Sequence, residues 1–324
     1  RLSLVIFTYN KKETPLVQKD ALLGVDEIVL TREERELCPL SNGSVSFLDE
    51  RFNIVVSGEG FKYSYNKKTA CFDSLIKGGL ERLERPSKII LWRAPCDNDM
   101  YIRQKWEYAR YDRAETRSYE TRINQTPHYV EIKCALSIAS VSCSRFVDGE
   151  ISYRIYGDGK IDLSFDGKTL PFAPPLPRLG LEFSLNKAME NIEYTGYGPY
   201  ESYADKKSAC YYGEFASSVQ DEYVDYIKPQ EHGSHFGTSK LSISGGNRRL
   251  SIDSKGFFSF NYSEYTKEEL TEKKHNFELK KAPFNSLIID ALMSGIGSNS
   301  CGPELPQKYR AEGDFSLNIR LDME

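Results

Sequence analysis

The chain has 324 residues, 40% of them hydrophobic and 28% charged, which is enough to form one large domain or two ordinary ones with a substantial core. Its formal net charge is −4, and both signs are spread along the chain rather than gathered in a basic block. This distribution argues against a nucleic-acid partner, and no apolar run of about 18 residues is present to span a bilayer. We therefore expect a globular protein.

The first segment is predicted to form a small group of strands. RLSLVIFTYN resembles the middle of a strand, as expected of a longer polypeptide that has been cut, and residues 1 to about 31 provide only two or three strands, too few to be stable alone. The polar run TREEREL, residues 31–37, separates them from a long strand-rich remainder. We predict a domain boundary near residues 31 to 40.

Alternation of apolar and polar residues continues through segments 44–72, 151–165, 248–262 and 315–321. The clearest case is a hairpin around the turn Gly157-Asp158-Gly159, whose alternating apolar residues are Ile151, Tyr153, Ile155, Ile161, Leu163 and Phe165. In the closing strand, the residues predicted to share a face are Phe315, Leu317, Ile319 and Leu321. The fold class predicted is all-β: a large antiparallel β-sandwich with a few short helices.

Two short helices are predicted, both as surface additions to the sheets. In IRQKWEYAR, residues 102–110, the side chains of Ile102, Trp106 and Tyr108 would form a partial apolar stripe. In KEELTEKK, residues 267–274, Thr266 and Glu269 have the spacing of a capping box.

The cysteine pattern indicates reduced thiols, mostly in the core. The seven residues are an odd number and have no short paired spacing; they are Cys38, Cys71, Cys96, Cys134, Cys143, Cys210 and Cys301. This leaves the cellular compartment open.

Most motifs of catalytic or cofactor sites are missing from the sequence. It contains no G-x-G-x-x-G, no G-x-x-x-x-G-K and no G-x-S-x-G. His232 and His235 are close enough in sequence to share a metal ion if helical, but Gly233 between them predicts a turn, so we expect a solvated loop and no metal site. Acidic residues are numerous, and sequence spacing does not reveal whether two of them lie about 5 Å apart, as retaining glycoside hydrolysis requires.

Three segments together resemble the C-terminal domain of the β-galactosidases of glycoside hydrolase family 2. The first is LWRAPCDNDM, residues 91–100, which is similar to the family's W-R-A-P-x-D-N-D pattern. The second is GYGPYESYADKKSA, residues 196–209, continued by DEYVDYIKPQEHG, residues 221–233. The third is the Gly-rich MSGIGSNSCGP, residues 293–303. Together these patterns cover roughly residues 40 to 324.

The resemblance implies an architecture and a division into domains. Residues 1–33 would be the last strands of a preceding immunoglobulin-like domain. Residues 37–324 would form the large C-terminal sandwich, a supersandwich like that of galactose mutarotase. The chain would then be a truncated piece or, alternatively, a separately encoded small subunit.

The resemblance also implies that the catalytic residues are elsewhere. The family's two catalytic glutamates lie on a TIM barrel that precedes this region, and no Asn of this sequence is followed by Glu, as the family's acid/base dipeptide requires. The isolated chain is therefore expected to contain no catalytic residue, to bind no metal or cofactor, and to be inactive. The Mg and Na ions often used by the family would belong to the barrel.

Two loops of this chain would border the mouth of the active site in such an enzyme. They correspond to residues 100–104 and 298–302, and the substrate-proximal candidates are Asp99, Met100, Tyr101, Asn299, Ser300 and Cys301. Cys301 lies near the place where well-known members have a sugar-stacking Trp. A thiol offers no such surface, so Tyr101 or Trp106 would take this role, or the substrate preference would differ from lactose.

Structural roles compete with these functional ones. Arg93 and the Asp97-Asn98-Asp99 run are expected to hold a turn by side-chain hydrogen bonds. Glu201, Tyr203 and Asp205 are expected to form a bonded loop network. Glycines of the motifs, Gly196, Gly198, Gly295 and Gly297, would allow positive φ or close backbone approach.

Three functions remain open at this stage. The first is the sandwich of a family 2 β-galactosidase, whose partners would be a β-galactoside, the catalytic barrel and, in a homo-oligomer, a second copy of the chain. The second is a free-standing carbohydrate-binding or aldose-mutarotase-like sandwich, which would use one of His128, His232, His235 and His275 with a carboxylate. The third is a purely structural interaction domain. A bacterial cytoplasmic or periplasmic location fits all three.

Overall fold

The computed structural model describes residues 2–31, 37, 43–297 and 302–324. The strands in these ranges are β1 (Leu2–Tyr9), β2 (Leu22–Thr31), β3 (Val45–Asp49), β4 (Asn53–Gly58), β5 (Phe61–Asn66), β6 (Cys71–Lys77), β7 (Leu80–Glu81), β8 (Arg85–Ile90), β9 (Glu115–Gln125), β10 (Tyr129–Ala139), β11 (Arg145–Tyr156), β12 (Ile161–Thr169), β13 (Arg178–Asn186), β14 (Asn191–Gly198), β15 (Tyr211–Ser218), β16 (Ser234–Gly245), β17 (Arg248–Ser263), β18 (Phe284–Met293) and β19 (Asp314–Met323). The helices are α1 (Ile102–Ala109) and α2 (Lys267–Glu272), with single 3-10 turns at Asp97–Asp99, Tyr111–Arg113, Asn276–Glu278 and Gln307–Tyr309.

Antiparallel pairing organises these strands into three sheets. The largest has the order β15-β14-β16-β17-β19-β12-β11-β10-β9. This sheet branches at β17, which also pairs with β18; β18 in turn pairs with β13, and β13 pairs with β8. A second sheet has the order β3-β4-β5-β6-β7, and β1 and β2 form a separate hairpin. Each of these strand pairs is antiparallel, and the predicted all-β class is confirmed.

The five-stranded sheet packs against the large sheet through aromatic side chains. The ring of Tyr153 on β11 meets the rings of Tyr65 and Phe72 edge-on, at centroid distances of 5.8 and 4.9 Å. The Tyr153 hydroxyl donates a hydrogen bond to the Ala70 carbonyl at 2.9 Å, and the Tyr63 hydroxyl donates to the Gly159 carbonyl at 2.8 Å. Two sheets thus face one another across a shared core, as predicted for a sandwich.

The strand patterns read from the sequence are confirmed in detail. In the β11–β12 hairpin, Ile151 lies opposite Phe165, and Ile155 lies opposite Ile161. All six alternating residues of that hairpin are buried, and so are the four of the last strand. Because side chains alternate across a strand, this register places every apolar residue of the pattern on the core side.

Both predicted helices are present, but α1 is more than a surface addition. Trp106 is 1% exposed, and its indole N–H donates to the Pro175 carbonyl at 2.7 Å, whereas Tyr108 is 90% exposed and does not belong to the apolar stripe. At α2, the Thr266 hydroxyl accepts a hydrogen bond from the Glu269 amide at 3.2 Å, which confirms the Thr266 half of the predicted capping box. The Glu269 carboxylate accepts instead from the Lys280 amide at 2.9 Å.

The predicted domain boundary lies largely outside the described residues and stays a prediction. The β1–β2 hairpin before it exposes several large apolar side chains, and Phe7 meets Tyr211 of β15 edge-on at 5.2 Å. The cysteines in the described ranges are free thiols, all buried except the half-buried Cys143, as predicted; Cys38 and Cys301 lie outside those ranges. No helix in the described part of the chain is long and apolar enough to cross a membrane.

Candidate functional site

The three motif segments meet at one place in the fold, and Arg93 lies at their junction. It is fully buried, and its guanidinium donates to the Ser294 carbonyl at 2.6 Å and to the Gly295 carbonyl at 3.2 Å. The same group donates to the Asp99 carboxylate at 2.9 and 3.1 Å. The guanidinium also lies 5.5 Å from the centroid of the Trp106 ring. Arg93 therefore ties the first motif to the third.

Asp99 closes the turn that follows. Its carboxylate accepts a hydrogen bond from the Cys96 amide at 2.9 Å, and the Asn98 amide group donates to the Ile296 carbonyl at 2.9 Å. Burial, reinforced by the charge of Asp99, raises the pKa of the Cys96 thiol to about 12. The prediction that Arg93 and the Asp-Asn-Asp run hold a turn is confirmed, and Cys96 is a protonated thiol at neutral pH rather than a nucleophile.

The second motif joins the same junction from two sides. The Asp97 amide donates to the Gln230 side-chain oxygen at 3.1 Å, and the Glu231 amide donates to the Ala94 carbonyl at 3.1 Å. Asp205 accepts hydrogen bonds from the amides of Ile296 at 3.0 Å and Gly297 at 2.7 Å.

Gly295 is required here by close approach, since an added Cβ would lie 2.4 Å from the Asp205 carboxyl carbon. Gly297 is similarly close to Asp205, at 2.9 Å. Added Cβ atoms at the other two motif glycines would lie 2.7 Å from the Thr238 hydroxyl for Gly196 and 2.3 Å from the Tyr194 hydroxyl for Gly198. Of the two roles expected for these glycines, close approach is the one that the geometry supports.

The expected bonded loop network is confirmed for Glu201 and Asp205, whereas the buried Tyr203 hydroxyl has no hydrogen-bond partner among the described residues. The bonds of Glu201 are the most numerous: it accepts hydrogen bonds from the Gly233 amide at 2.8 Å and the Tyr226 hydroxyl at 3.1 Å, and it pairs with Lys206. Burial opposes ionisation of this carboxyl, but the hydrogen bonds from Lys206 and Gly233 outweigh it and lower the pKa of Glu201. The group is thus a charged anchor for the loop.

The predicted substrate-proximal residues separate into three groups. Asp99 is buried and fully engaged by Arg93 and Cys96, so its role in the geometry is to support the turn. Met100 and Tyr101 are half exposed, at 48% and 53%. Asn299, Ser300 and Cys301 lie outside the described residues.

A cleft of about 110 Å³ lies beside Tyr101. We call it the rim cleft. Its lining includes Tyr101, Ile102 and Trp106 from the first motif and its helix, and Ser294, Gly295 and Arg310 from the last part of the chain. Its walls combine apolar rings with backbone and side-chain polar groups, which is the usual composition of a small-molecule site.

A buried ion cluster behind the junction was missed by the sequence analysis. The Arg178 guanidinium donates to both Asp290 oxygens at 2.9 Å and lies 3.4 Å from Glu231, and all three side chains are buried. Burial alone would lower the pKa of Arg178, but Asp290 and Glu231 outweigh it and raise that pKa. Arg178 follows the proline-rich segment PFAPPLP and Asp290 lies within an apolar strand, so no spacing in the sequence indicated that they pair.

The prediction of a solvated His232–His235 loop is wrong. Both rings are buried, and the His235 ring stacks on Phe260 at 5.0 Å. Its Nε2 lies 2.6 Å from a Glu222 oxygen, a partner 13 residues away that local sequence does not reveal. Within the described ranges, no three His, Cys, Asp or Glu side chains are grouped so that they could hold a metal ion.

Known proteins with similar sequences are β-galactosidases. The chain is 38% identical over 312 residues to the β-galactosidase of Actinobacillus pleuropneumoniae, covering 95% of this chain and 31% of that protein. It is 33% identical over 328 residues to the β-galactosidase of Staphylococcus xylosus, covering 99% of this chain and 33% of that protein. The chain therefore spans about one third of the length of these relatives.

The family assignment follows from a family model described as the β-galactosidase small chain, which matches residues 57–321. The chain belongs to this family. Among solved structures, it is similar to galactose 1-epimerase from Lactobacillus acidophilus NCFM, with a TM-score of 0.47 and 9% identity over 87% of this chain and 99% of that one. A putative aldose 1-epimerase from Escherichia coli K12 gives a TM-score of 0.43 and 7% identity over 87% and 99% of the two chains.

Proposed function

We propose that this chain is the C-terminal sandwich of a retaining β-galactosidase of glycoside hydrolase family 2. In the intact enzyme it covers the catalytic TIM barrel and supplies loops to the substrate entrance. The catalytic glutamates, and the Mg and Na ions often used by the family, belong to the barrel in this proposal. The support from sequence is that the relatives are β-galactosidases about three times as long as this chain.

The observation that carries the proposal is the convergence of three separated motifs at the junction around Arg93, next to the rim cleft. Buried hydrogen bonds hold residues 93–99 against residues 294–297, so the loops that follow each segment start from fixed positions. Rigid support of this kind is what a substrate-binding loop requires, because ordering the loop during binding would reduce affinity.

Within the described part of the rim, Tyr101 is the residue best placed to contact a sugar. It is half exposed and lines the rim cleft, whereas Trp106 is buried with its indole N–H already bonded to Pro175. An aromatic ring complements the apolar face of a pyranose. Of the two aromatic candidates, the geometry favours Tyr101.

The test is an assay with a chromogenic β-galactoside of the purified chain alone and of the assembled enzyme that contains both this chain and the barrel. We expect no turnover by the chain alone and turnover by the assembled enzyme. In that enzyme, Tyr101→Ala should raise KM with a smaller effect on kcat. Tyr108→Ala should change neither, because Tyr108 is an exposed aromatic on α1, the helix that follows Tyr101, and does not line the rim cleft. Turnover by the chain alone would overturn the proposal.

A further inference from the structure

A second cleft, of about 400 Å³, lies next to the rim cleft and is lined by aromatic rings. We call it the aromatic cleft and define it by Tyr197 of β14, Phe236 of β16, Phe257 of β17 and Tyr309. The first, second and fourth of these are half-buried, and Phe257 is 53% exposed. Ser294 and Arg310 line both clefts, so the two sites are neighbours.

The rings of the aromatic cleft are held in defined orientations. Tyr197 and Phe236 stack with a centroid distance of 6.2 Å and an interplanar angle of 26°. Gly237 has φ +66° and lies under the Tyr197 ring, where an added Cβ would be 3.0 Å from a ring carbon. Glycine adopts this backbone conformation without strain and lets the ring approach closely. The aromatic surface is therefore built into the fold rather than formed by mobile side chains.

Two lysines place positive charge over these rings. The Lys207 ammonium lies 5.2 Å from the Tyr197 centroid and 4.6 Å from the Phe236 centroid, and the Lys308 ammonium lies 4.7 Å from the Tyr309 centroid.

Within the described residues, neither ammonium forms an ion pair with a carboxylate. The acidic groups nearby already pair with other cations: Asp290 in the cleft wall is bound by Arg178, and Glu304 pairs with Arg310 at 3.1 Å. The cleft therefore has a net positive character.

We propose that the aromatic cleft binds a pyranose that carries a negative charge, either a carboxylate or a sulfate. The ring faces match the apolar face of a sugar, the hydroxyl groups of Ser259 and Tyr309 match its hydroxyls, and the two ammonium groups match the anion. A flat aromatic anion would leave those hydroxyls without a partner. The volume suits one sugar ring or a short segment of a glycan.

The proposal stands on this geometry and does not rest on the proposed β-galactosidase function. The experiment uses the purified chain without a barrel, so absence of hydrolysis leaves it unaffected. Binding is measured by isothermal titration calorimetry, with saturation-transfer NMR for weak ligands. The probes are methyl β-glucuronide, methyl β-galactoside 6-sulfate, neutral methyl β-galactoside, inorganic sulfate and benzoate.

We expect the two acidic sugars to bind more tightly than the neutral sugar, and sulfate and benzoate to bind weakly or not at all. The tighter of the two acidic sugars identifies the preferred anion. Lys207→Met should weaken binding of the acidic sugars roughly fivefold, as expected for a charge pair at a half-buried lysine open to solvent in the cleft, and added salt should reduce that difference. Phe236→Leu should weaken binding of the acidic sugars by a factor on the order of 2 to 10.

Matched controls keep the proposal falsifiable. Lys280→Met removes one positive charge from an exposed lysine that does not line the cleft. Phe277→Leu removes an exposed aromatic ring that does not line it either. Both variants should bind the acidic sugars as tightly as the unchanged chain. Thermal unfolding followed by circular dichroism checks that each variant is folded. Equal affinity for neutral and acidic sugars, equal binding of benzoate or sulfate, or no binding by any probe would overturn the proposal.

Discussion

The core strands β11, β12 and β19 and the motif junction around Arg93 are built on opposite principles. In the alternating segments 151–155, 161–165 and 315–321 of these strands, every second residue is apolar and buried, and each fully buried side chain contributes about 1.5–3 kcal/mol through the hydrophobic effect. At the junction and in the Arg178 ion cluster behind it, the buried groups are charged, and their burial is tolerated only because guanidinium, carboxylate and backbone groups satisfy one another. The comparison shows that the sheets stabilise the fold, while the junction fixes the positions of particular loops.

This difference makes the junction the more fragile of the two regions. A shortened apolar side chain leaves a cavity into which its neighbours relax in part. A deleted charge leaves its partner buried without compensation, and no local relaxation replaces an ion pair. Substitutions that remove one member of a pair should therefore separate the two regions most clearly.

The largest effect is expected for Arg178→Met. The substitution leaves Asp290 and Glu231 buried without their cation, and we expect the free energy of unfolding to fall by about 4 kcal/mol. Urea unfolding monitored by fluorescence measures it. Arg154→Met is the matched control, because Arg154 pairs with Glu131 at 2.6 Å on the surface and should cost less than about 1 kcal/mol. Equal losses in the two variants would mean that burial of the Arg178 cluster adds nothing to the penalty of losing an ion pair.

The sequence alone was sufficient to predict the regular strands of the core. The period-two pattern of residues 151–165 predicted the hairpin, its turn and the face that each residue presents, because one side of those strands packs on the core and the other is more polar and accessible. The cap at Thr266 was predicted for a similar reason, since both partners lie three residues apart in the sequence.

The sequence was not sufficient to predict contacts between residues that are distant in the chain, or the buried polar residues of strands that are covered on both faces. Strand β13 is buried along nearly its whole length, with β8 on one side and β18 on the other. Its sequence therefore has no alternation of apolar and polar residues against which Arg178 and Glu182 would stand out. Likewise, Gly233 between His232 and His235 suggested a solvated loop. Residue spacing did not reveal Glu222 and Phe260, which are brought to the His235 ring only by tertiary structure.

The motif residues were predicted in part from the sequence. The resemblance predicted that the loops at residues 100–104 and 298–302 both border the mouth of an active site, but it did not predict the contacts that join the preceding segments. The direct bonds from the Arg93 guanidinium to the Ser294 and Gly295 carbonyls span about 200 positions of sequence. Residue spacing carries no information about such pairs, and only the fold reveals that Arg93 is the common partner.

The second prediction concerns Glu182, which also lies buried in β13. Lys267 donates to its two oxygens at 2.9 and 2.8 Å, and Lys88 lies 3.0 Å away. Burial alone would raise the pKa of Glu182, but the two lysines outweigh it and hold that pKa at about 2, below the ordinary 4.5. A depressed pKa stabilises the fold above the ordinary pKa, and this contribution is lost as the pH falls toward 2.

We therefore expect Glu182→Gln to be more destabilising at pH 6 than at pH 3, by about 2 kcal/mol. Urea unfolding at the two pH values measures the difference. Leu163→Ala changes no ionisable group and should lose the same stability at both. If the penalty of Glu182→Gln does not change with pH, the carboxyl does not gain its charge stabilisation from the lysines.

The smallest effect is expected at the N-terminus of α2, where the polar contact is local and partly exposed. Thr266→Ala removes the hydroxyl that accepts from the Glu269 amide, which leaves an unpaired donor in the first turn and should cost about 1 kcal/mol. Thr266→Ser keeps the hydroxyl and should stay close to the unchanged chain. The first residue of the helix is Lys267, whose ammonium binds Glu182, so a loss above about 3 kcal/mol would mean that the cap also positions that buried pair. The loss is measured by urea unfolding at pH 6. A decrease of about 1 kcal/mol in the free energy of unfolding would mean that the cap acts only locally and that the large losses are confined to the buried charges.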